Sequence, residues 1–476
     1  MNNQLENSVQ TWLSLWSEKE PNKCALVFEN NTYSWAHLNS LLNGVTVSLR
    51  GQNIIQGDVV ALVSKNSIEL VLAYLACIHL GALPALIAPS TNTPLVQKLD
   101  TLGCNHVWFG KGTNKLVDRA PLSALYSLLQ ISVGCCVGSN STTPASVHPD
   151  NLVSIVFTSG STGVPKAVAH TNKQHEASAH GLLARFGFKS SDTWLLSLPM
   201  YHVSGLAIIW RWLTVGACLK VGGGKDFFTD LQGVTHASLV PTQLKRLLDS
   251  GKRITLSRVL LGGSHIPLAL AQEANRRGID TWLGYGMTES ASTVMAKQVD
   301  ECMGVGFLLP SRLLKVEKQR IYVGGETLAS GYFYRGKLTP IVINDWFDSK
   351  DLGEWEGDQL RILGRVDNLF ISGGENIHCE EIEFVLTQHA KINNAVVIPV
   401  QDKEYGARPV AVIQSEYALE KKDVEQFLSR RLEKFKWPVE YIAMPEILLE
   451  GPSIKLSRSK VKAWFINSQV SKRKAI

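Results

Sequence analysis

A chain of 476 residues, 45% hydrophobic and 19% charged, is too long for one ordinary domain and too apolar to stay disordered, so two to four packed units are expected. Its net charge of +6 suits an anionic small molecule and gives no ground for a nucleic-acid partner. The eight cysteines contain no CxxC, and Cys135 and Cys136 are the one adjacent pair, a spacing that offers neither a zinc ligand set nor a disulfide framework and implies reduced thiols.

The first residues, "MNNQLENSVQTWLSLWSEKEPNK", carry acids and amides where a secretory leader needs a basic start and an apolar run, so no leader is expected. The longest apolar stretch, Leu70 to Pro89, could just span a bilayer. His79, Gly81 and Pro84 interrupt it, and the pattern predicts a buried helix followed by a buried strand, with no membrane span. The strand "GDVVALVS" (57–64) precedes this helix, which Asn66 or Ser67 caps and Gly81 closes.

"HVWFGKG", "SLVPTQLKRLLDSG" and "SRVLLGGSHIP" with "LALAQEANRRG" repeat the alternation, Pro241 standing where strand passes to helix. Such alternation predicts α/β layers with largely parallel sheets. From about Ser311 the strands shorten and the turns tighten, which predicts antiparallel pairing. After "GRVDN" comes helix "CEEIEFVLTQHA", strands "NAVVIPVQD" and "ARPVAVIQS", and helix "KKDVEQFLSRRLEKF", a small α+β unit. The fold class is therefore α/β, with a large domain over 1–366 and a small C-terminal α+β domain over 367–476. Beyond Ser453 the chain has seven Lys or Arg and no acid, and its last ten residues read as a solvated basic tail.

The chemistry concentrates in "IVFTSGSTGVPKAVAHT", Ile155 to Thr171. It is not a Walker loop, because Val164 and Pro165 separate Gly163 from Lys166. Small residues nevertheless let backbone N–H groups converge on an anion, hydroxyls add donors, and the lysine adds charge. The strand before the loop puts it at a sheet edge, where ligands of α/β proteins sit.

This segment closely resembles the phosphate-loop signature of the adenylate-forming superfamily, which includes acyl-CoA synthetases, peptide-synthetase adenylation domains and beetle luciferases. "LPMYHVSGL" (198–206), "LLGGSHIP" (260–267), "LGYGMTES" (283–290) and "GRVDNLFISGGENIHCEEIE" (364–383) resemble its further motifs in the same order. "SKDLGEW" (349–355) is similar to its ribose motif, with Ser-Lys replacing Thr-Gly before Asp351. The resemblance spans about 30 to 465 and implies an adenylate-forming domain followed by a mobile lid. It also implies the reaction: a carboxylate and ATP give an acyl-adenylate and pyrophosphate, then the thiol of coenzyme A gives a thioester and AMP.

The resemblance assigns Thr158, Ser159, Gly160, Ser161, Thr162, Gly163 and Lys166 to the ATP phosphates, and Gly262, Gly263, Tyr285 and Gly286 to the nucleotide pocket. Glu289 becomes the Mg²⁺-linked glutamate, Thr288 its neighbour near the α-phosphate, and Asp351 with Arg365 the ribose partners. Asp367 becomes the hinge, and Gly373 and Gly374 the backbone beside the CoA channel. In "GPSIKLSRSKVKAWF" the lysine pattern falls on Lys455, with Ile454 at the usual glycine and Arg458 three residues on; Lys460 is the competing lysine.

The substrate segments look most like a branch of CoA ligases serving bacterial menaquinone biosynthesis, whose aromatic substrate carries two carboxylates. The second must be neutralised, and Arg211 between Trp210 and Trp212 is a partner for it, or else a stacked arginine without a ligand. His202 lines or gates the same pocket, or is packed in the core. An aryl- or medium-chain acyl-CoA ligase is the alternative activity, and a non-catalytic nucleotide-binding module the alternative class. Expected partners are a small carboxylate, ATP and CoA, in the cytoplasm, with a homo-oligomer left open.

Overall fold

A computed structural model describes residues 12–133, 148–158, 165–224, 226–252, 255–263, 266–302, 304–449 and 458–474. Ser159, Gly160, Ser161, Thr162, Gly163 and Lys455 lie outside the described residues.

Two large sheets carry the N-terminal part. In an eight-stranded sheet, Val59–Val63, Leu83–Ile87, His106–Phe109 and Leu152–Thr158 run parallel at the centre, and Lys166–Thr171 returns antiparallel. In a nine-stranded sheet, Cys24–Phe28, Cys218–Val221, Thr193–Leu195, His236–Leu239, Arg258–Leu261 and Asp280–Met287 are parallel neighbours, followed by antiparallel Ser292–Gln298. Mostly parallel strands need both faces covered, so their sequences are continuous apolar runs.

The helix Ile68–His79 is buried along almost its whole length. With Trp35–Gly51, Asn172–Phe186 and Val203–Val215 it fills one core shared by the two sheets. Asn92–Leu102 covers the outer face of the first sheet. Pro241–Asp249 and Leu268–Arg276 cover the second. The layers thus alternate helix, sheet, helix, sheet, helix. Each fully buried large aliphatic side chain contributes roughly 1.5–3 kcal/mol.

The local signals resolve as expected, with one choice made. Ser67 caps the helix by accepting from Leu70 N, while the Asn66 amide binds the carbonyls of Leu196 and Leu198 instead. Gly81 ends that turn at φ 71°, a region that favours glycine. Pro84 stands opposite Val60 in one parallel ladder and one residue before Leu83–Ile87 begins to pair with Leu152–Thr158 in the other.

Beyond Ser311 an antiparallel four-stranded sheet forms from Arg312–Glu317, Arg320–Gly325, Phe347–Glu356 and Gln359–Arg365. The short 3-10 turn Val366–Asn368 leads from it to a five-stranded sheet containing Leu369–Ser372, Asn394–Asp402 and Gly406–Gln414. Cys379–Thr387 and Lys421–Leu428 pack on one face of that sheet. The basic segment packs upstream of its last ten residues, the part expected to be a solvated tail. It forms the helix Arg458–Lys474, whose Val461 and Phe465, four residues apart, pack on the other face. Among the described residues no helix is long and apolar enough to cross a membrane.

Candidate active site

One cleft of about 2380 Å³ opens where both large sheets, the four-stranded sheet and the C-terminal unit meet. Strand ends supply its chemistry, as expected for parallel sheets. Thr158 ends one strand of the first sheet and pairs in register with Lys166, which starts the next, so the segment expected to bind phosphate is the connection between them. Gly262 and Gly263 follow the strand Arg258–Leu261, and Gly263 has φ 82°.

At the end of Asp280–Met287 the chain turns sharply. A side-chain carbon on Gly286 would lie 1.8 Å from the Ser292 carbonyl oxygen, so no other residue fits there without moving backbone. Ala291 and Ser292 both have positive φ, 51° and 107°, a strain of roughly 1–3 kcal/mol each. Two side chains hold this turn, one from a strand of the first sheet and one from the helix that follows it. His170 Nε2 bonds the Thr288 carbonyl at 2.9 Å, and Ser178 Oγ donates to the Ala291 carbonyl at 2.5 Å. His170 is fully buried, which pushes its pKa down to about 4 and keeps it neutral.

The turn presents Thr288 and Glu289 to the cleft. Tyr332 donates its hydroxyl to Glu289 Oε1 at 3.1 Å, and Lys166 Nζ stands 4.5 Å from the centre of the same ring. Tyr332, absent from the sequence reading, therefore joins the lysine of one strand to the glutamate of the other sheet. Its signal was the aromatic run "GYFY", which reads equally as an ordinary strand. Glu289 Oε2 has no hydrogen-bond partner among the described residues, and a carboxylate of this kind fits Mg²⁺, which takes one or two protein carboxylates and completes its shell with water and phosphate oxygens.

At the third wall Asp351 and Arg365 are opposite each other on neighbouring strands. Arg365 Nη1 donates to Asp351 Oδ1 at 2.7 Å, and Tyr285 donates to Oδ2 at 2.7 Å. Burial, together with that carboxylate, pushes the Tyr285 hydroxyl far above its ordinary pKa, so it stays a donor. Asp367 lies 3.8 Å from the other side of the Arg365 guanidinium.

The fourth wall is the helix Val203–Val215, which begins after His202. His202 is half-buried, stands edge-on to Tyr201, and burial lowers its pKa below the usual range. Arg211 is 1% exposed yet, among the described residues, makes one long hydrogen bond, Nη2 to Thr293 Oγ1 at 3.5 Å, and its Nε has no partner there. Burial and the nearby Arg312 push its pKa down to about 9. The flanking tryptophans do not sandwich it. Trp212 stacks on Trp35 and Trp210 on His175, while Trp194, from another strand, lies under the guanidinium at 5.3 Å.

The C-terminal unit contributes Lys460 to the cleft. Gly373 and Gly374, with φ 58° and 91°, form the two-residue tip of the hairpin Leu369–His378, exposed and outside the cleft lining in this arrangement.

Residues 13–333 match the AMP-binding enzyme family, and residues 381–451 match the AMP-binding enzyme C-terminal domain. The 2-succinylbenzoate–CoA ligase of Salmonella typhimurium is 40% identical over 94% of this chain and 96% of its own length. The chain belongs to the AMP-binding enzyme family, among its 2-succinylbenzoate–CoA ligases. A solved structure of an E. coli MenE point variant with bound OSB-AMS resembles this ligase with a TM-score of 0.87 and 35% identity, covering 95% of this chain and 98% of that one. The Bacillus subtilis enzyme in complex with ATP and magnesium ion has a TM-score of 0.83 and 26% identity, with coverage of 95% and 99%.

Proposed function

We propose that this ligase joins 2-succinylbenzoate to coenzyme A in menaquinone biosynthesis, forming AMP and pyrophosphate through an acyl-adenylate. The observation that carries the substrate is Arg211, a buried guanidinium on a cleft wall with one long hydrogen bond. A dicarboxylate whose second carboxylate met Arg211 would supply the missing charge-assisted bonds. His202 then lines the same end of the cleft.

The nucleotide lies along the other walls. The loop Thr158–Lys166 holds the β- and γ-phosphates, Gly262, Gly263, Tyr285 and Gly286 frame the base and sugar, and Asp351 with Arg365 meets the ribose hydroxyls. Glu289, beside Thr288, would hold Mg²⁺, which neutralises charge on the phosphate oxygens. One substrate carboxylate oxygen attacks the α-phosphorus and pyrophosphate departs. Lys455 is the ammonium that bridges the carboxylate and α-phosphate oxygens in that step. Residues 367–476 then turn about Asp367, bringing Gly373 and Gly374 to the pantetheine arm, and the CoA sulfur attacks the acyl carbon to release AMP. Because ATP and CoA are pools of the cytoplasm, the enzyme works there, on small molecules and without nucleic acid.

Incubating the purified protein with ATP, Mg²⁺ and CoA against 2-succinylbenzoate, benzoate and octanoate tests this. AMP with the 2-succinylbenzoyl thioester alone is expected. AMP with another thioester would overturn the substrate, and ADP would overturn the reaction.

A further inference from the structure

Two thiols meet at the strand starts of the nine-stranded sheet, the opposite end from the strand ends that build the cleft. Cys24 opens the strand Cys24–Phe28, and Cys218 opens the neighbouring parallel strand Cys218–Val221, with Leu26 opposite Leu219. Their Sγ atoms lie 3.1 Å apart although 194 positions separate them in the chain. Neighbouring strands run roughly 4.8 Å apart, inside the separation that a disulfide bridges without backbone movement.

Access and reactivity are divided between the two. Cys24 is half-buried and Cys218 buried, and a cavity of about 330 Å³, with Lys23, Asp192 and Lys220 in its wall, reaches both. Either sulfur can donate in this contact; with Cys218, the more buried, as donor, the Cys24 pKa falls to about 7, while the hydrogen bond and burial hold Cys218 protonated. Cys24, the more accessible of the two, is therefore the nucleophile and the buried Cys218 the resolving thiol. The other described cysteines differ. Burial pushes Cys77 and Cys104 up to about 12 and raises Cys379 as well, while Cys302 is exposed without a sulfur neighbour among the described residues.

We propose that Cys24 and Cys218 are a reversible oxidation site, closed to a disulfide by a hydroperoxide and reopened by a thiol reductant. The Cys24 thiolate attacks one peroxide oxygen, the O–O bond breaks, and the leaving oxygen takes a proton, giving Cys24 sulfenic acid. The Cys218 sulfur then attacks the Cys24 sulfur; the S–O bond breaks and water leaves with the Cys218 proton. Two thiols lose two electrons, and hydrogen peroxide becomes two waters. The bridge ties the first described strand, second from one edge of the nine-stranded sheet, to its inner neighbour. It also closes a long loop in the unfolded chain, so the oxidised protein resists unfolding better. Disulfides of this kind in reducing compartments are transient and redox-responsive.

The test treats the full-length protein with hydrogen peroxide, blocks remaining thiols with iodoacetamide and maps peptides without reduction. A Cys24–Cys218 cross-linked peptide that dithiothreitol abolishes is expected, with a higher Tm for the oxidised than the reduced protein. In Cys218→Ser, dimedone should label Cys24; in Cys24→Ser it should leave Cys218 unlabelled. Absence of the cross-linked peptide from the wild type, with Cys24 either untouched or carried on to sulfinic acid, would overturn the proposal. Equal dimedone labelling of Cys218 in Cys24→Ser would overturn the assigned roles.

Discussion

Two arginines flank the strand Ser292–Gln298, and both are buried, yet their surroundings differ in kind. Arg312 is 4% exposed and donates to the carbonyls of Thr293, Ala177, Pro310 and Ser178 and to Ser178 Oγ. Arg211 is 1% exposed and, among the described residues, has the single 3.5 Å hydrogen bond to Thr293 Oγ1. Burying a charge is costly unless hydrogen bonds replace water. Arg312 has them from its own chain and fastens the helix Asn172–Phe186 to the strained turn region. Arg211 lacks them among the described residues, which is why the proposed function gives this cation beside the cleft to the second carboxylate of the substrate. The two positions teach that equal burial can hide unequal pairing, and that the number of acceptors is what sets these two arginines apart.

The contrast is sharpest if each arginine is removed. Arg312→Ala should destabilise the protein by roughly 3–5 kcal/mol, since several buried carbonyls lose their donor, and thermal unfolding would show it. Arg211→Ala should leave Tm unchanged or raised, because an under-paired buried charge is gone. It should lower kcat/KM for 2-succinylbenzoate by about 10²-fold or more, while KM for ATP stays within about twofold by the same independence of distant sites. Equal Tm losses in both variants would break the comparison.

Lys455→Ala separates the electrostatics of the adenylate step from those of substrate binding. Adenylate formation should fall by about 10²-fold, and CoA attack on preformed acyl-adenylate should stay nearly intact. Equal losses in the two half-reactions would remove the assigned role.

Buried histidines provide a pH axis. His170 has a folded pKa of about 4, below its unfolded value, and so does His236. Between about pH 6.5 and 4 the unfolded chain takes up protons that the folded chain refuses. Stability is thus full above about 6.5 and falls as pH drops, by about 2 kcal/mol per histidine at pH 5. Tm measured from pH 7 to 5 should show the decline, and His170→Asn should flatten its share of the slope. The smallest effect belongs to Tyr332→Phe. Losing one hydrogen bond to Glu289 should cost about 1 kcal/mol, read as a fewfold rise in the Mg²⁺ concentration needed for half-maximal rate.

Much of the site was legible because its motifs are short and local. Thr288 and Glu289 in "GYGMTES", Asp351 in "SKDLGEW" and Arg365 in "GRVDN" all line the one cleft. What remained illegible were their partners. Tyr332 meets Glu289 across 43 positions, and Tyr285 meets Asp351 across 66. The Trp-Arg-Trp run invited a local stack, but adjacent helix positions face different directions, so Trp194 carries the guanidinium instead. Cysteine spacing likewise argued against paired thiols, and sheet order put Cys24 beside Cys218.

By itself the sequence determined the α/β alternation, the Gly81 stop of the buried helix and the order of the motif loops, while it left the cap of that helix between Asn66 and Ser67. These follow from periodicity and from hydrogen bonds made within a few residues of the chain. Tertiary structure alone decided which buried polar groups are satisfied: Arg312 by carbonyls 134 and 135 positions away, Arg211 by almost none. The reason is physical. A hydrogen bond's value depends on what else is buried around it, and that is settled when distant strands and helices pack.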